Sequence, residues 1–146
     1  MTSVTLAPLS GTDSKLRDAL AASGLPTADL GYANRLFYCA TNQDGYIVGY
    51  SGVEGCDDNV LLRSVVILPD YQGQNLGTRL VRETLSAIGG TSAVYLATTS
   101  AASFFEKLGF VTVDRAEVPA DVLATQQLSS VCPTSATVMK LTRPPS

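Results

Sequence analysis

Residues 65–81 read VVILPDYQGQNLGTRLV, and three signals are stacked in them. A β-branched run at 65–67 closes a strand that Pro69 terminates. A turn rich in Gln and Gly follows. From Leu76 onward, Leu80, Val81, Leu85 and Ile88 recur at helical spacing and mark one apolar face. A helix opening there presents its first N–H groups and the positive end of its macrodipole to whatever lies before it. Glycines at 73 and 77 would let a phosphate group approach that backbone closely. The residues leave two readings open: an anion cradle, or a plain strand–turn–helix connection with two turn glycines. Asn75 stands where a cradle would favour glycine. If the position needs a positive φ, asparagine is the best other choice, because its short polar side chain tolerates the left-handed region. The substitution costs about 1 kcal/mol, less than several phosphate–amide hydrogen bonds return.

Working outward, VLLRSVVIL (60–68) is the most strand-like run of the chain. Upstream, 3–9 reads as a short opening strand. Leu16, Ala19 and Leu20 place a helix over 13–22 that SGLP (23–26) stops. A hairpin follows, with arms at 35–41 and 46–54 joined by NQDG (42–45), and GCDDN (55–59) reads as a second turn. Downstream of the helix, Gly89-Gly90 ends it and AVYLATT (93–99) is a buried strand. A short helix carrying Phe104, Phe105 and Leu108 stops at Gly109, FVTV (110–113) is a strand, Pro119 opens a helix over 119–128, and SATVMKL (135–141) closes the sheet. This order predicts a single domain, 1–146, of α/β sandwich type with a mixed sheet rather than a doubly wound parallel one.

Composition narrows the chemistry. The chain has 146 residues, 45% of them hydrophobic, enough for a real core. Its net charge is −3 with no Lys/Arg cluster, which disfavours nucleic acid as a partner. No run reaches membrane-spanning length, and the N-terminal residues lack the blocks of a signal peptide, so a cytoplasmic location is expected. Cys39, Cys56 and Cys132 are scattered and odd in number, which argues against a disulfide framework. There is no histidine, which removes the usual general base, every histidine-containing triad and most metal sites. No metal is expected.

The stretch VVILPDYQGQNLGTRLV resembles the acetyl-CoA loop of the GCN5-related N-acetyltransferases (GNAT), written Q/R-x-x-G-x-G/A after a strand. Gln72 fills its first place, Asn75 the glycine place and Gly77 the last. AASFFEKLGF (101–110) resembles the family's second landmark, a short helix followed by L-G-F. The resemblance implies a three-layer sandwich with a mostly antiparallel central sheet and helices on both faces. It also implies transfer of acetyl from acetyl-CoA directly to an amine. The cofactor would lie against Val65, Val66 and Ile67, the loop residues Gln72, Gly73, Gln74, Asn75, Leu76, Gly77 and Thr78, and Thr98 and Phe105. The backbone of 65–67 would hold the pantetheine and polarise the thioester carbonyl. Dimers are common in the family, so a homodimer is a further implication.

The chain departs from the family pattern in two ways. Many members carry a tyrosine as general acid where this chain has Phe105, and several carry a glutamate where it has Leu61. Thr98 stands where an asparagine often touches pantetheine. Strict alternation puts Leu61, Arg63, Val65 and Ile67 on one face, so Arg63 is a cation in an apolar strand near the expected acceptor. Arg63 is then either a clamp for a substrate carboxylate or a structural arginine, snorkelling or paired with Asp57 or Asp58. Glu54 is the candidate base, acting through water, or else a solvated turn carboxylate. Thr99 and Cys132 are candidate acceptor contacts, with a buried inert thiol as the alternative for Cys132. Tyr38, Tyr46, Tyr50 and Tyr95 fall on expected strands as core or edge residues, with one of them, or else water, as the candidate replacement for the missing acid.

Four further strings, GLPTADL (24–30), LLRSV (61–65), TTSAASFFEKLGF (98–110) and DRAEVPADVLATQQLSSVCPTSATVMK (114–140), resemble a small subgroup often encoded in bacterial arsenic-resistance clusters and named as amino-acid-type N-acetyltransferases. That closer resemblance implies a small acceptor carrying an α-amine and a carboxylate. The alternatives are acetylation of a protein N-terminus or lysine, and a non-catalytic acyl-CoA-binding module.

Overall fold

The computed structural model describes residues 4–24, 27, 30, 35–56, 59–88, 93–98, 101–123 and 136–142. Their order is β1 (Thr5–Leu9), α1 (Ser14–Ala22), β2 (Arg35–Thr41), β3 (Ile47–Cys56), β4 (Asn59–Ile67), α2 (Leu76–Ile88), β5 (Ala93–Thr98), α3 (Ala102–Glu106), β6 (Val111–Thr112), α4 (Ala120–Leu123) and β7 (Thr137–Thr142). The strands form one mixed sheet in the order β1-β2-β3-β4-β5-β7-β6. β4 and β5 are parallel, while β1–β2, β5–β7 and β6–β7 are antiparallel. This is the expected α/β architecture, mostly antiparallel.

Local chemistry explains the boundaries. Asp13 caps α1, its carboxylate accepting the Leu16 N–H at 3.0 Å. Asn42 shapes the hairpin turn by accepting the N–H groups of Asp44 and Tyr46 on its side-chain oxygen, each at 3.0 Å. Gly109 leaves α3 at φ +101°, a conformation natural to glycine. One boundary differs from the sequence reading: β3 does not stop at Glu54 but runs to Cys56, so Gly55 and Cys56 belong to the strand and not to a turn. Its neighbour β4 opens at Asn59. The helix expected over 119–128 is described only as far as Leu123, and the Gly89-Gly90 stop lies outside the described residues.

The chain divides into two compact units, one formed by residues up to Val53 with Arg63–Gly89, the other by Glu54–Leu62 and the residues from Gly90 on. In the first, β2, β3 and β4 are covered on both faces. Leu16 and Leu20 of α1 pack with Phe37, Tyr50 and Val66. Leu76 and Leu80 of α2 pack with Ala40 and Val48, joined by Val65 and Ile67. Between α2 and β3 lies a buried hydroxyl pair, Ser51 and Thr84, 2.7 Å apart. Thr84 donates to the Leu80 carbonyl at 2.8 Å, so the hydrogen between the two hydroxyls comes from Ser51. Both groups are thus satisfied without water. Leu80 is fully buried, and Leu80→Ala is expected to cost about 2–5 kcal/mol of stability in urea denaturation. The exposed Ser86→Ala should stay within about 0.5 kcal/mol of the native chain.

In the second unit, Leu61, Ala93, Tyr95 and Val138 pack with Val118 and Val122. Phe105 meets Phe104 and Phe110 edge to face, with centroids 5.0 and 5.6 Å away. No helix among the described residues is long and apolar enough to cross a membrane.

Candidate active site

The loop between β4 and α2 is built from inside outward. Pro69–Tyr71 form one turn of 3-10 helix, and the Tyr71 N–H donates to the Leu68 carbonyl at 2.9 Å. The Gln72 side-chain amide then reaches back and donates to the Ile67 carbonyl at 3.0 Å, tying the loop to the end of the strand. Gly73 has φ +83° and only open space where a Cβ would stand. Asn75 has φ +61°, the left-handed conformation for which asparagine is suited. Its carbonyl accepts the first intrahelical bond, from the Arg79 N–H at 3.5 Å. The N–H groups of Leu76, Gly77 and Thr78 therefore precede the helical ladder. Leu76 is 4% exposed and anchors the turn, while Gly73, Gln74 and Asn75 face outward. A thirteen-residue helix begins behind them. The geometry fits an anionic pyrophosphate group: glycine and asparagine give up steric bulk, and the helix start supplies donors.

Strand β4 carries a second feature, which the sequence did not announce. Ser64 sits at φ +59° inside the strand. A residue in this conformation bulges a strand and shifts the alternation of its side chains. The shift is visible in the packing. Val65 and Ile67 turn to the α2 side, whereas Val66 turns to the α1 side. Arg63 joins that α1 side, its guanidinium carbon 5.7 Å from the centre of the Phe37 ring. Arg63 does not share a face with Val65 and Ile67, which corrects the strict alternation read from the sequence. Toward β3, the Val66 carbonyl presses so near Gly49 that an added Cβ would meet it at 2.4 Å. The ladder to β5 covers Asn59–Leu61 opposite Ala93–Tyr95, and the half of β4 from Arg63 to Ile67 lies outside it.

The structure buries the two charged candidates. Arg63 is 4% exposed, and its Nε donates to Ser64 Oγ at 3.2 Å. Glu54 is 5% exposed within β3, which removes the reading of it as a solvated turn carboxylate. Asp57 and Asp58, considered as partners for Arg63, lie outside the described residues, as do the candidate acceptor contacts Thr99 and Cys132. Thr98 ends β5, and its hydroxyl accepts the Ala101 N–H at 3.0 Å, which shapes the entry to α3. Phe105 is buried in its aromatic cluster.

The four tyrosines separate by environment, with Tyr38 half-buried in β2. Tyr46 is 62% exposed, and Tyr95 belongs to the core of the second unit. Tyr50 is buried on the α1 side with Phe37. Burial first, then the charges of Asp13 and Cys39, raise its phenol above the ordinary value, so it stays protonated at neutral pH. Phe37 and Ser64 touch Arg63 and Gly52 abuts the Phe37 ring, neighbours that the sequence reading did not single out. The one available signal was Gly52, since a glycine inside a strand marks close approach of a neighbour.

Comparison with known proteins places this geometry. No curated protein matches the chain in sequence at a significant level. Among solved structures, an acetyltransferase of the GNAT family from Staphylococcus aureus superposes with a TM-score of 0.70 at 15% identity, covering 96% of this chain and 99% of that one. A Mycobacterium tuberculosis protein in complex with CoA gives 0.70 at 15% identity, covering 96% and 99%. An N-acetylglutamate synthase from Neisseria gonorrhoeae, complexed with coenzyme A and N-acetyl-glutamate, gives 0.73 at 17% identity, covering 95% of this chain and 35% of that one. At these identities the likeness establishes the fold. The family described as acetyltransferase (GNAT) domain matches residues 33–112, more than half of the sequence and the whole of the β4–loop–α2 unit. The chain belongs to the GNAT acetyltransferases and is an acyltransferase with acetyl-CoA as its cosubstrate.

Proposed function

We propose that the chain transfers acetyl from acetyl-CoA directly to the primary amine of a small, amino-acid-like acceptor. The observation that carries this reading is Arg63, a buried cation held on the face of β4 opposite Val65 and Ile67. The fork of donors on an arginine suits a carboxylate. The subgroup resemblance of the sequence points to the same acceptor class, and its arsenic-resistance setting belongs to the proposal alone. A structure of this fold that holds coenzyme A with N-acetyl-glutamate, an acylated amino acid, supports it further.

Acetyl-CoA brings an activated acyl group and a thiolate of ordinary pKa near 8.5, a tolerable leaving group. The N–H groups of Leu76, Gly77 and Thr78 hold its pyrophosphate, with Gly73, Gln74 and Asn75 shaping the approach. Backbone of Val65, Val66 and Ile67 orients the pantetheine and polarises the carbonyl. The family resemblance assigns Thr98 and Phe105 to the cofactor and offers Thr99 and Cys132, which lie outside the described residues, as acceptor contacts. Arg63 takes the acceptor carboxylate. Glu54 removes the ammonium proton through water. As the N–C bond forms, the C–S bond breaks, the nitrogen gives up its second proton to solvent and the thiolate takes one from solvent. Phe105 has no hydroxyl, so this chain runs the last step without the tyrosine acid.

The test is thiol release from acetyl-CoA with four acceptor classes: free α-amino acids, their carboxamides, peptides with a free N-terminus, and lysine peptides. Free amino acids should turn over fastest. Faster turnover of either peptide class would select a protein acetyltransferase instead. Binding of acetyl-CoA without turnover of any amine would select the non-catalytic module.

A further inference from the structure

Between α2 and β3 the fold keeps a polar contact where an apolar one would pack as well. Ser51 and Thr84 are both 0% exposed, and their hydroxyls lie 2.7 Å apart. Thr84 also donates to the Leu80 carbonyl at 2.8 Å, so a chain of hydrogen bonds runs from β3 into the backbone of α2. The surroundings are apolar, with Leu76 and Leu80 of α2 packed with Ala40 and Val48. Replacing both partners of a buried hydrogen bond by apolar groups of the same shape is nearly neutral for stability. What the hydroxyl pair adds is direction. Apolar side chains let a helix slide or turn on a sheet, whereas a hydrogen bond weakens steeply with misalignment.

The same strand holds the other side of the loop. The Val48 carbonyl accepts the Leu68 N–H at 2.8 Å, where β4 gives way to the loop. Next along, Gly49 lies so close to the Val66 carbonyl that a Cβ could not stand there. β3 thus holds the end of β4 through Val48 and Gly49, and the body of α2 through Ser51, all within the first compact unit. Thr84 stands eight residues behind Leu76, about 12 Å along the helix axis. A tilt of α2 by about 5° around that contact moves the N–H groups of Leu76, Gly77 and Thr78 by about 1 Å, enough to spoil a positioned contact.

We propose that Ser51 and Thr84 are positioning residues for acetyl-CoA. They fix α2 on β3 so that the helix donors and the backbone of 65–67 meet the pyrophosphate and the pantetheine of one ligand together. Pantetheine alone engages only the strand side and is indifferent to the alignment. This inference rests on the reading of the β4–α2 loop as the cofactor cradle.

The experiment measures Kd for coenzyme A by calorimetry, and for pantetheine, which lacks the pyrophosphate, by NMR shift titration. The chains compared are the native one, Thr84→Ser and the double variant Ser51→Ala with Thr84→Val, with Tm recorded for each. In the double variant Tm should stay within about 3 °C of native. Its Kd for coenzyme A should nevertheless rise about tenfold, while its Kd for pantetheine stays within about twofold of native. Thr84→Ser keeps the hydroxyl and should keep the native Kd for coenzyme A. If the double variant folds poorly, Ser51→Ala replaces it, since Thr84 then keeps its bond to the Leu80 carbonyl. Native affinity for coenzyme A without the hydroxyl pair, an equal loss for both ligands, or the same loss in Thr84→Ser overturns the proposal and leaves the cradle standing. No binding of coenzyme A by the native chain overturns the cradle and this inference together.

Discussion

Gly77→Glu is expected to raise the KM for acetyl-CoA about 100-fold or more, equivalent to about 2.7 kcal/mol of lost binding. The reason is local. Position 77 lies in the first turn of α2, where the N–H groups ahead of the helical ladder face the loop. A carboxylate there places negative charge where the pyrophosphate would sit. The helix itself should survive, since acidic residues are favoured near a helix N-terminus. Steady-state kinetics with acetyl-CoA varied, alongside a far-UV spectrum, separates lost binding from lost fold. Asn75→Gly is the companion variant. Asn75 already adopts φ +61°, so glycine changes neither the loop geometry nor the donors. Its KM for acetyl-CoA should remain within about twofold of native, a shift below about 0.4 kcal/mol.

Arg63→Ala should lower kcat/KM for a carboxylate-bearing acceptor about 100-fold, the scale of a lost bidentate charge-assisted contact. The KM for acetyl-CoA should change little, because the donors assigned to it are backbone groups of β4 and α2. Arg63→Lys should not restore the acceptor, since an ammonium lacks the planar fork. Acceptor kinetics at saturating acetyl-CoA measure both effects. Equal losses for an amino acid and its carboxamide would mean that Arg63 serves the strand rather than the acceptor.

Much of the fold was legible because the signals are local. β2 was bounded at Arg35 and Thr41 by its own apolar run and the Asn42 turn, and α2 by the loop before Leu76. The positive φ of Asn75 could be anticipated because asparagine and glycine announce such positions by their chemistry. Ser64 could not, since serine carries no such mark inside a β-branched run. Extending strict alternation through it put Arg63 with Val65, and the bulge put it with Val66 instead. The end of β3 was misread for a related reason. Followed by Gly55, Glu54 looked like the edge of a turn, but β3 runs on to Cys56 and the carboxylate is buried. Propensity acts along the chain, whereas bulges and strand lengths are settled by the neighbouring strand.

The most direct measurement is a calorimetric titration of the native chain with coenzyme A and with acetyl-CoA. Saturable binding of both at one site per chain is the expected result, and it would show that a loop with asparagine in the glycine place holds the cofactor. No heat and no saturation with either ligand would contradict it, and the acceptor chemistry assigned to Arg63 and Glu54 would fall with the cradle.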